Sequence, residues 1–501
     1  FWLKPFWLKG TSAQHPGGGH GHPRVSAGHG LRGAMSHEDS NKDLQQQEGN
    51  VDASVFQRQV EAQRAYVDSG EVPGFAQVVI WHGRVVHRAS YGFADRESGT
   101  AFTEDTVVRL FSMTKPITMV ALMILVEQGK VCLDEPVSTY LPCFRNMRYV
   151  QHANQVSAKK EDGLHREGPK IRQLLMHTSG ISYGACFGEE PRYACERGYA
   201  ALVRRVDSRQ VSTLEAFVAE LSALPLRFKP GTRWEYSHGM DVIGRVIEVV
   251  SGLSLAHFIR VHICDKLGMK DTAFAVGPSE RSRLAALYGP VEGKKKRLRR
   301  MDGGSGSAWV EGTACGVLAG GGFMGSSFPT SEGGTSVGGL VSTLNDYMIF
   351  LQMLQCRGRH PDVSPGDTGM SRVVLGPESV SSMFANWLGM KRVSHGQKRI
   401  KGWHDAGRGS MGWGPLGQVG LSGDPPDVWM GGIAGTFWAI DGARGLVVLH
   451  LTQVAQAYDF YGELLWKAAK EACSPPPAPA QASTCDDRAK KRRRSVGSAS
   501  Q

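Results

Sequence analysis

The sequence predicts an α/β protein of the α+β type, with one sheet built from the two ends of the folded region and a mostly helical insert between them. Three observations carry this. Short β-branched and aromatic runs bounded by turn residues stand at 75–91 and again at 428–452. Segments with helical apolar spacing fill the middle. The chain of 501 residues is 41% hydrophobic and 21% charged, enough apolar content to bury a core.

The elements follow in order. Residues 1–54 repeat the word Phe-Trp-Leu-Lys and then turn rich in Gly, His, Pro and Ser, so they read as a disordered tail. His20, His22 and His29 there offer imidazoles to a transition metal, but the floppy Gly/His reading is preferred. A helix is expected over 56–68. A hairpin follows, with strands at 75–81 and 85–91 around His82-Gly83-Arg84. The apolar stretch 117–126 is too short for a bilayer, which needs about 20 residues, so no membrane span is expected. No secretory signal is readable at the start either.

Ser212-Thr213-Leu214-Glu215 has the pattern of a capping box and opens an amphipathic helix that Pro225 follows. Two more helices are expected over 242–250 and 255–264, split at Ser251-Gly252. Residues 303–339 are glycine-dense and read as a long irregular loop. Strands are expected over 428–439 and 446–452, separated by Asp441-Gly442, and then a helix over 461–472. Three prolines after Ser474 stop it, and 473–501 reads as a disordered basic tail. One catalytic domain over 55–472 is the expectation.

Charge and cysteine content narrow the function classes. Fifty-eight basic residues against 47 acidic leave +11, and Lys294–Arg300 and Lys490-Lys491-Arg492-Arg493-Arg494 account for all of it. The remainder is near neutral, so no nucleic-acid-binding face is expected across the fold. Each basic run reads as a solvated flexible segment, with an import or anionic-surface tag as the alternative. The nine cysteines include no C-x-x-C pair, which argues against a disulfide framework or zinc site and for a reducing, cytoplasmic compartment. Cys186 and Cys195 are close enough in sequence to pair, but spacing alone proves nothing.

The chemistry concentrates at Phe111-Ser112-Met113-Thr114-Lys115-Pro116, at a helix start. Three residues place Lys115 about one turn from Ser112 on one face. A serine hydroxyl is a weak nucleophile until a base takes its proton, and a desolvated lysine is driven toward its neutral, basic form. The helix N-terminus adds N–H groups and partial positive charge where an oxyanion would grow. Alone, S-x-x-K also fits a capping serine and a surface lysine.

Three further words follow: Leu174-Leu175-Met176-His177-Thr178-Ser179-Gly180, Tyr236-Ser237-His238 running into Asp241-Val242-Ile243-Gly244, and Trp429-Met430-Gly431-Gly432-Ile433-Ala434-Gly435-Thr436. In that order the chain resembles the serine β-lactamase and penicillin-binding-protein-like superfamily from about 57 to 453, closest to the class C-like branch that holds family VIII esterases. The resemblance implies a β-lactamase/transpeptidase-like fold, an antiparallel sheet flanked by helices plus a helical subdomain. It implies Ser112 as acylated nucleophile, Lys115 as its base partner and Tyr236 as the phenol that relays the proton. It implies that the backbone N–H of Ile433, at a strand position after Gly431-Gly432, completes the oxyanion hole with that of Ser112. Gly432 allows close approach of strand and substrate. No metal or organic cofactor is implied, and the partner is a small-molecule acyl substrate.

The departures matter as well. His238 stands where this branch carries asparagine in Tyr-x-Asn, and is expected to assist proton transfer or to donate a hydrogen bond to substrate. Met430-Gly431-Gly432 replaces Lys-Thr-Gly, so the lysine that holds an acidic substrate group is missing. That favours neutral acyl esters, with β-lactam or D-amino-acid peptide hydrolysis and acyl transfer as alternatives. A non-catalytic scaffold using the basic runs is the alternative of another class. Gly334-Thr335-Ser336-Val337-Gly338 matches the α/β-hydrolase elbow, but no buried strand is expected before it. His177 beside Ser179 is expected to fix a loop rather than to act as a base.

Overall fold

A computed structural model describes residues 51–473, except 152–162, 185–190, 192, 208–209, 212, 277–278, 292–293, 303–334, 363–371, 389–410, 424, 456 and 458–459. Residues 1–50 and 474–501, the three early histidines, Cys186, the second basic run and most of the glycine-dense stretch therefore lie outside the described residues.

The expected union of distant strands is present. Strands β1 (Gly74–Trp81), β2 (Arg84–Asp95) and β3 (Thr100–Ala101) join β11 (Met411–Gly414), β12 (Gly417–Gly423), β13 (Pro426–Gly431), β14 (Phe437–Asp441) and β15 (Leu446–Leu451). They form one eight-stranded antiparallel sheet in the order β11-β12-β13-β14-β15-β1-β2-β3. Ala76 pairs with Leu451 and Ile80 with Val447, closing the sheet between its first and last strands. At the hairpin turn His82 and Gly83 both take positive φ, +47° and +79°, as a two-residue turn between right-twisted strands requires.

Strand periodicity of two splits the apolar residues between two cores. Ala76, Val78, Ile80, Met430, Trp438, Val447 and Leu449 face the helical side. Val79, Trp81, Trp429, Phe437, Ala439 and Val448 face helix α1 (Ala53–Asp68) and the final helix (Phe460–Ala472), through Phe56, Leu465 and Trp466. Helix α2 (Thr114–Glu127) lies in the first core and is buried from Thr114 to Leu125 without a break. That is why its sequence shows no polar stripe.

The insert carries α3 (Ile171–Leu175), α4 (Arg197–Asp207), α5 (Leu214–Ser222), α6 (Gly239–Ser251) and α7 (Leu255–Ile259). Gly252, at φ +73°, ends α6 as the sequence suggested. Helix α7 runs into a π-helical turn, Arg260–Cys264. A second, three-stranded sheet sets β10 (Thr335–Ser342) between β4 (Val108–Arg109) and β7 (Ala273–Val276), and β5 (Met147–Tyr149) pairs with β6 (Gly163–His165).

Four expectations change. The strand expected over 428–439 is two antiparallel strands, because Gly432 N–H donates to the Thr436 carbonyl at 2.7 Å and Gly435 takes φ +83°. The cap of α5 is Thr213 rather than Ser212, its hydroxyl accepting from Ala216 N–H at 3.0 Å. The end of the stretch expected to be an irregular loop, 335–339, belongs to strand β10, so Thr335–Gly338 of its G-x-S-x-G word lie within a strand. Lys294–Arg300 is also a strand, β9, paired with β8 (Tyr288–Val291). Its last residue is held by acids, since Arg300 meets Asp95 at 2.8 Å and Asp302 at 3.0 Å.

Among the described residues no single helix is long and apolar enough to cross a membrane. Among the described residues, Cys132, Cys143, Cys264, Cys356 and Cys473 are free thiols.

Candidate active site

Strand β4 leads directly into the candidate nucleophile. Leu110 N–H donates to the Leu340 carbonyl at 2.9 Å, so the small sheet carries the chain to the brink of the turn. Phe111 then takes φ +50°, a strained conformation for an aromatic residue, and Ser112 follows in a short 3₁₀ turn at the head of α2. The turn is braced from two sides. Thr114 Oγ1 accepts Leu340 N–H at 2.9 Å, and Tyr347 Oη donates to the Met113 carbonyl at 2.9 Å. Gly339 lies against Thr114 at φ +86°, where a Cβ would come 2.7 Å from the threonine hydroxyl.

Three expected groups converge here. Lys115 Nζ donates to Ser112 Oγ at 3.2 Å, and Tyr236 Oη donates to the same oxygen at 3.1 Å. The ammonium also sits 4.8 Å from the Tyr236 ring centroid. Lys115 is buried, 3% exposed, while Ser112 and Tyr236 are half-buried. One serine oxygen thus faces an amine and a phenol, both able to exchange its proton, with the amine shielded from water.

Tyr236 is delivered by residues 233–237, which have no regular secondary structure. Three outside groups hold them. The His177 carbonyl accepts Glu235 N–H at 2.8 Å and His177 Nδ1 accepts Ser237 N–H at 3.2 Å. Arg227 pairs with Glu235, and at 3.2 Å with Glu196, in a buried cluster. Burial pushes the Glu235 carboxyl up to about 7, the Arg227 guanidinium opposing the rise and the Glu196 carboxylate adding to it. Trp413 packs edge-on against Tyr236 at 5.9 Å and Trp234 lies 5.3 Å from Trp413. Neither the Arg227–Glu196–Glu235 cluster nor Trp413 carried a sequence signal, because each acts through contacts far apart in the chain.

Two expected site residues take other places. His238 is only 2% exposed, with Nδ1 3.0 Å from Asp241 Oδ2 and its ring stacked on Tyr183 at 4.6 Å. It therefore is not open to a substrate, and its partner Asp241 is a buried carboxyl held above its usual range by desolvation. Ile433 is not at a strand position. It sits in the β13–β14 turn, its side chain buried with Phe111 and Leu287. Gly432 has its N–H committed to Thr436, and a Cβ there would lie 2.6 Å from the Leu110 carbonyl, two residues before Ser112. The turn thus packs directly on the nucleophile segment because position 432 lacks a side chain.

The family model described as Beta-lactamase matches residues 57–471. The chain belongs to the beta-lactamase family. Esterase EstB of Burkholderia gladioli is 34% identical over 230 residues, which cover 46% of this chain and 53% of that protein. The match thus spans about half the length of EstB. A lovastatin esterase of Penicillium rubens is 28% identical over 388 residues, 76% of this chain and 84% of its own. Among solved structures, "EstCE1, a hydrolase with promiscuous acyltransferase activity" superposes with a TM-score of 0.60 at 22% identity, covering 83% of this chain and 98% of that one. This last likeness speaks for the fold alone.

Proposed function

We propose that the chain is a carboxylesterase acting on small, neutral acyl esters through a covalent ester on Ser112. The single observation that carries this reading is the convergence of Lys115 Nζ and Tyr236 Oη on Ser112 Oγ, at 3.2 and 3.1 Å. Lys115 and Tyr236 together relay the serine proton away as Oγ attacks the ester carbonyl. The tetrahedral oxyanion is met by the backbone N–H of Ser112 and the positive end of α2, with the N–H of Ile433, now in the β13–β14 turn, as the second donor the family resemblance implies. Tyr236 returns the proton to the departing alkoxide. Water then attacks the acyl-enzyme by the reverse proton path and releases the acid.

Neutral esters are favoured because Met430, buried in the core, stands where a lysine would receive an acidic group. The wall beside the phenol is aromatic, from Trp234, Trp413 and Tyr183. The relatives named as esterases support the same choice over β-lactam or peptide hydrolysis. Acyl transfer to an alcohol uses the same intermediate, with the alcohol replacing water.

The test is turnover of p-nitrophenyl butyrate and nitrocefin, alongside intact-mass labelling with a fluorophosphonate. One adduct on the wild type, none on Ser112→Ala, and ester turnover well above nitrocefin turnover are expected. Labelling that survives in Ser112→Ala removes the serine from the mechanism. Capture of the butyryl group by added alcohol faster than by water reassigns the enzyme as an acyltransferase.

A further inference from the structure

His177 lies in the candidate site yet has no part in the chemistry above. It is 1% exposed and holds φ +52°, a backbone strain that a histidine accepts only where the surroundings impose it. Three separate contacts tie it to the segment that presents the phenol. Its carbonyl accepts Glu235 N–H at 2.8 Å, its Nδ1 accepts Ser237 N–H at 3.2 Å, and its ring lies 4.4 Å from the Tyr236 ring at an interplanar angle of 37°. The residues on both sides of Tyr236 are thus bonded to one histidine, and the tyrosine itself packs on it.

The bond from Ser237 N–H needs a lone pair at Nδ1, so the ring must carry its proton on Nε2. Burial and then the nearby Lys115 charge hold the imidazole well below its usual range, which keeps that lone pair available. Trp413 at 5.3 Å and Trp234 at 6.1 Å close the ring in. Without these bonds, residues 233–237 have no helix or strand to hold them.

We infer that His177 is a positioning residue for Tyr236, a neutral hydrogen-bond acceptor and ring support that sets the phenol oxygen against Ser112 Oγ. It touches no reacting atom and transfers no proton. This inference rests on the acyl-enzyme reading and names what makes its proton relay precise. A reacting group displaced by about 1 Å costs on the order of 100-fold in rate.

The test is a double-mutant cycle on the full chain, read as kcat and KM for p-nitrophenyl butyrate. His177→Phe keeps the ring and removes the acceptor. His177→Asn keeps an acceptor, removes the ring, and tolerates the left-handed backbone. The expected result is a fall in kcat of about 10- to 100-fold for His177→Phe, with KM within about threefold of wild type, and a smaller fall for His177→Asn. In a Tyr236→Phe background neither change lowers kcat further, because the residue works only through the phenol. The inference is overturned if His177→Phe keeps kcat within about twofold of wild type, or if its loss is the same with and without Tyr236. Should His177→Phe not fold, the same cycle with His177→Asn decides the matter. Fluorophosphonate labelling of Ser112→Ala separates the two levels: persistent labelling sinks the acyl-enzyme reading, whereas an additive cycle with clean labelling sinks only the role of His177.

Discussion

The two halves of the candidate site are built in opposite ways. Ser112 and Lys115 sit one turn apart on continuous chain, so their 3.2 Å contact follows from helical geometry once the helix forms. Tyr236 comes from an irregular segment whose position is borrowed from His177, Arg227 and Trp413. The first half is secured by local repetition and by the brace of Leu340 on Thr114. The second is secured by main-chain and side-chain groups that fold in from elsewhere. The lesson is that a damaged contact should have different consequences on the two sides: loss of the reacting group itself on one, loss of its aim on the other.

The sharpest way to separate them is to delete each reactive group in turn. Lys115→Met is expected to lower kcat for p-nitrophenyl butyrate by about 10³-fold or more, since the buried amine is the group that accepts the serine proton. Tyr236→Phe is expected to cost about 10²-fold with KM little changed, because the ring and its packing survive and only the proton relay is lost. Steady-state kinetics on both variants checks this. Equal losses would mean that the two halves are not distinct in role.

A smaller effect probes the turn that joins them to the sheet. In Gly432→Ala the new Cβ meets Thr436 Oγ1 at 2.2 Å and the Leu110 carbonyl at 2.6 Å, so the β13–β14 turn must move away from the nucleophile segment. We expect a loss of about 1–3 kcal/mol in urea unfolding and a roughly tenfold lower kcat. A variant with wild-type midpoint and rate would show that the close approach is unimportant.

The smallest effect concerns pH and the phenol half alone. Glu235 keeps its proton up to about 7 in the folded chain, against an ordinary 4.5. Between those values the unfolded chain binds fewer protons than the folded one. The contribution of Glu235 is therefore fully present below about 4.5 and is lost as pH rises through about 7. Glu235→Gln should remove this loss, so that the difference in stability between variant and wild type changes by roughly 1–3 kcal/mol over that window. Parallel urea midpoints for the two proteins from pH 4.5 to 8 would refute the assignment.

Much of this was legible beforehand, and the exceptions share a cause. Periodicity and turn residues marked the hairpin at 74–95, the final helix and the join of distant strands. The S-x-x-K word and the tyrosine word named the three converging groups. The error at 428–439 arose because a run of apolar residues looks the same in one strand as in two, and the reversal depends on Gly432, Ile433, Ala434, Gly435 and Thr436 closing a turn. The basic run at Lys294–Arg300 looks like solvated coil in the sequence because Asp95, which anchors Arg300, becomes its neighbour only after folding. Its place after Tyr236 points His238 toward the substrate in the sequence, whereas the pairing with Asp241 and the stack on Tyr183 turn it into the interior.

The alternation of strands and helices, the family, and the spacing that puts a lysine one turn from a serine are all readable from the chain alone, because they depend on residues near one another or on the order of words. It takes the packed fold to bring a phenol 124 residues away to 3.1 Å from that serine, and to set a histidine 60 residues from Ser237 where it accepts its N–H. Such distances depend on how whole elements pack, and packing is a property of the closed core rather than of any segment within it.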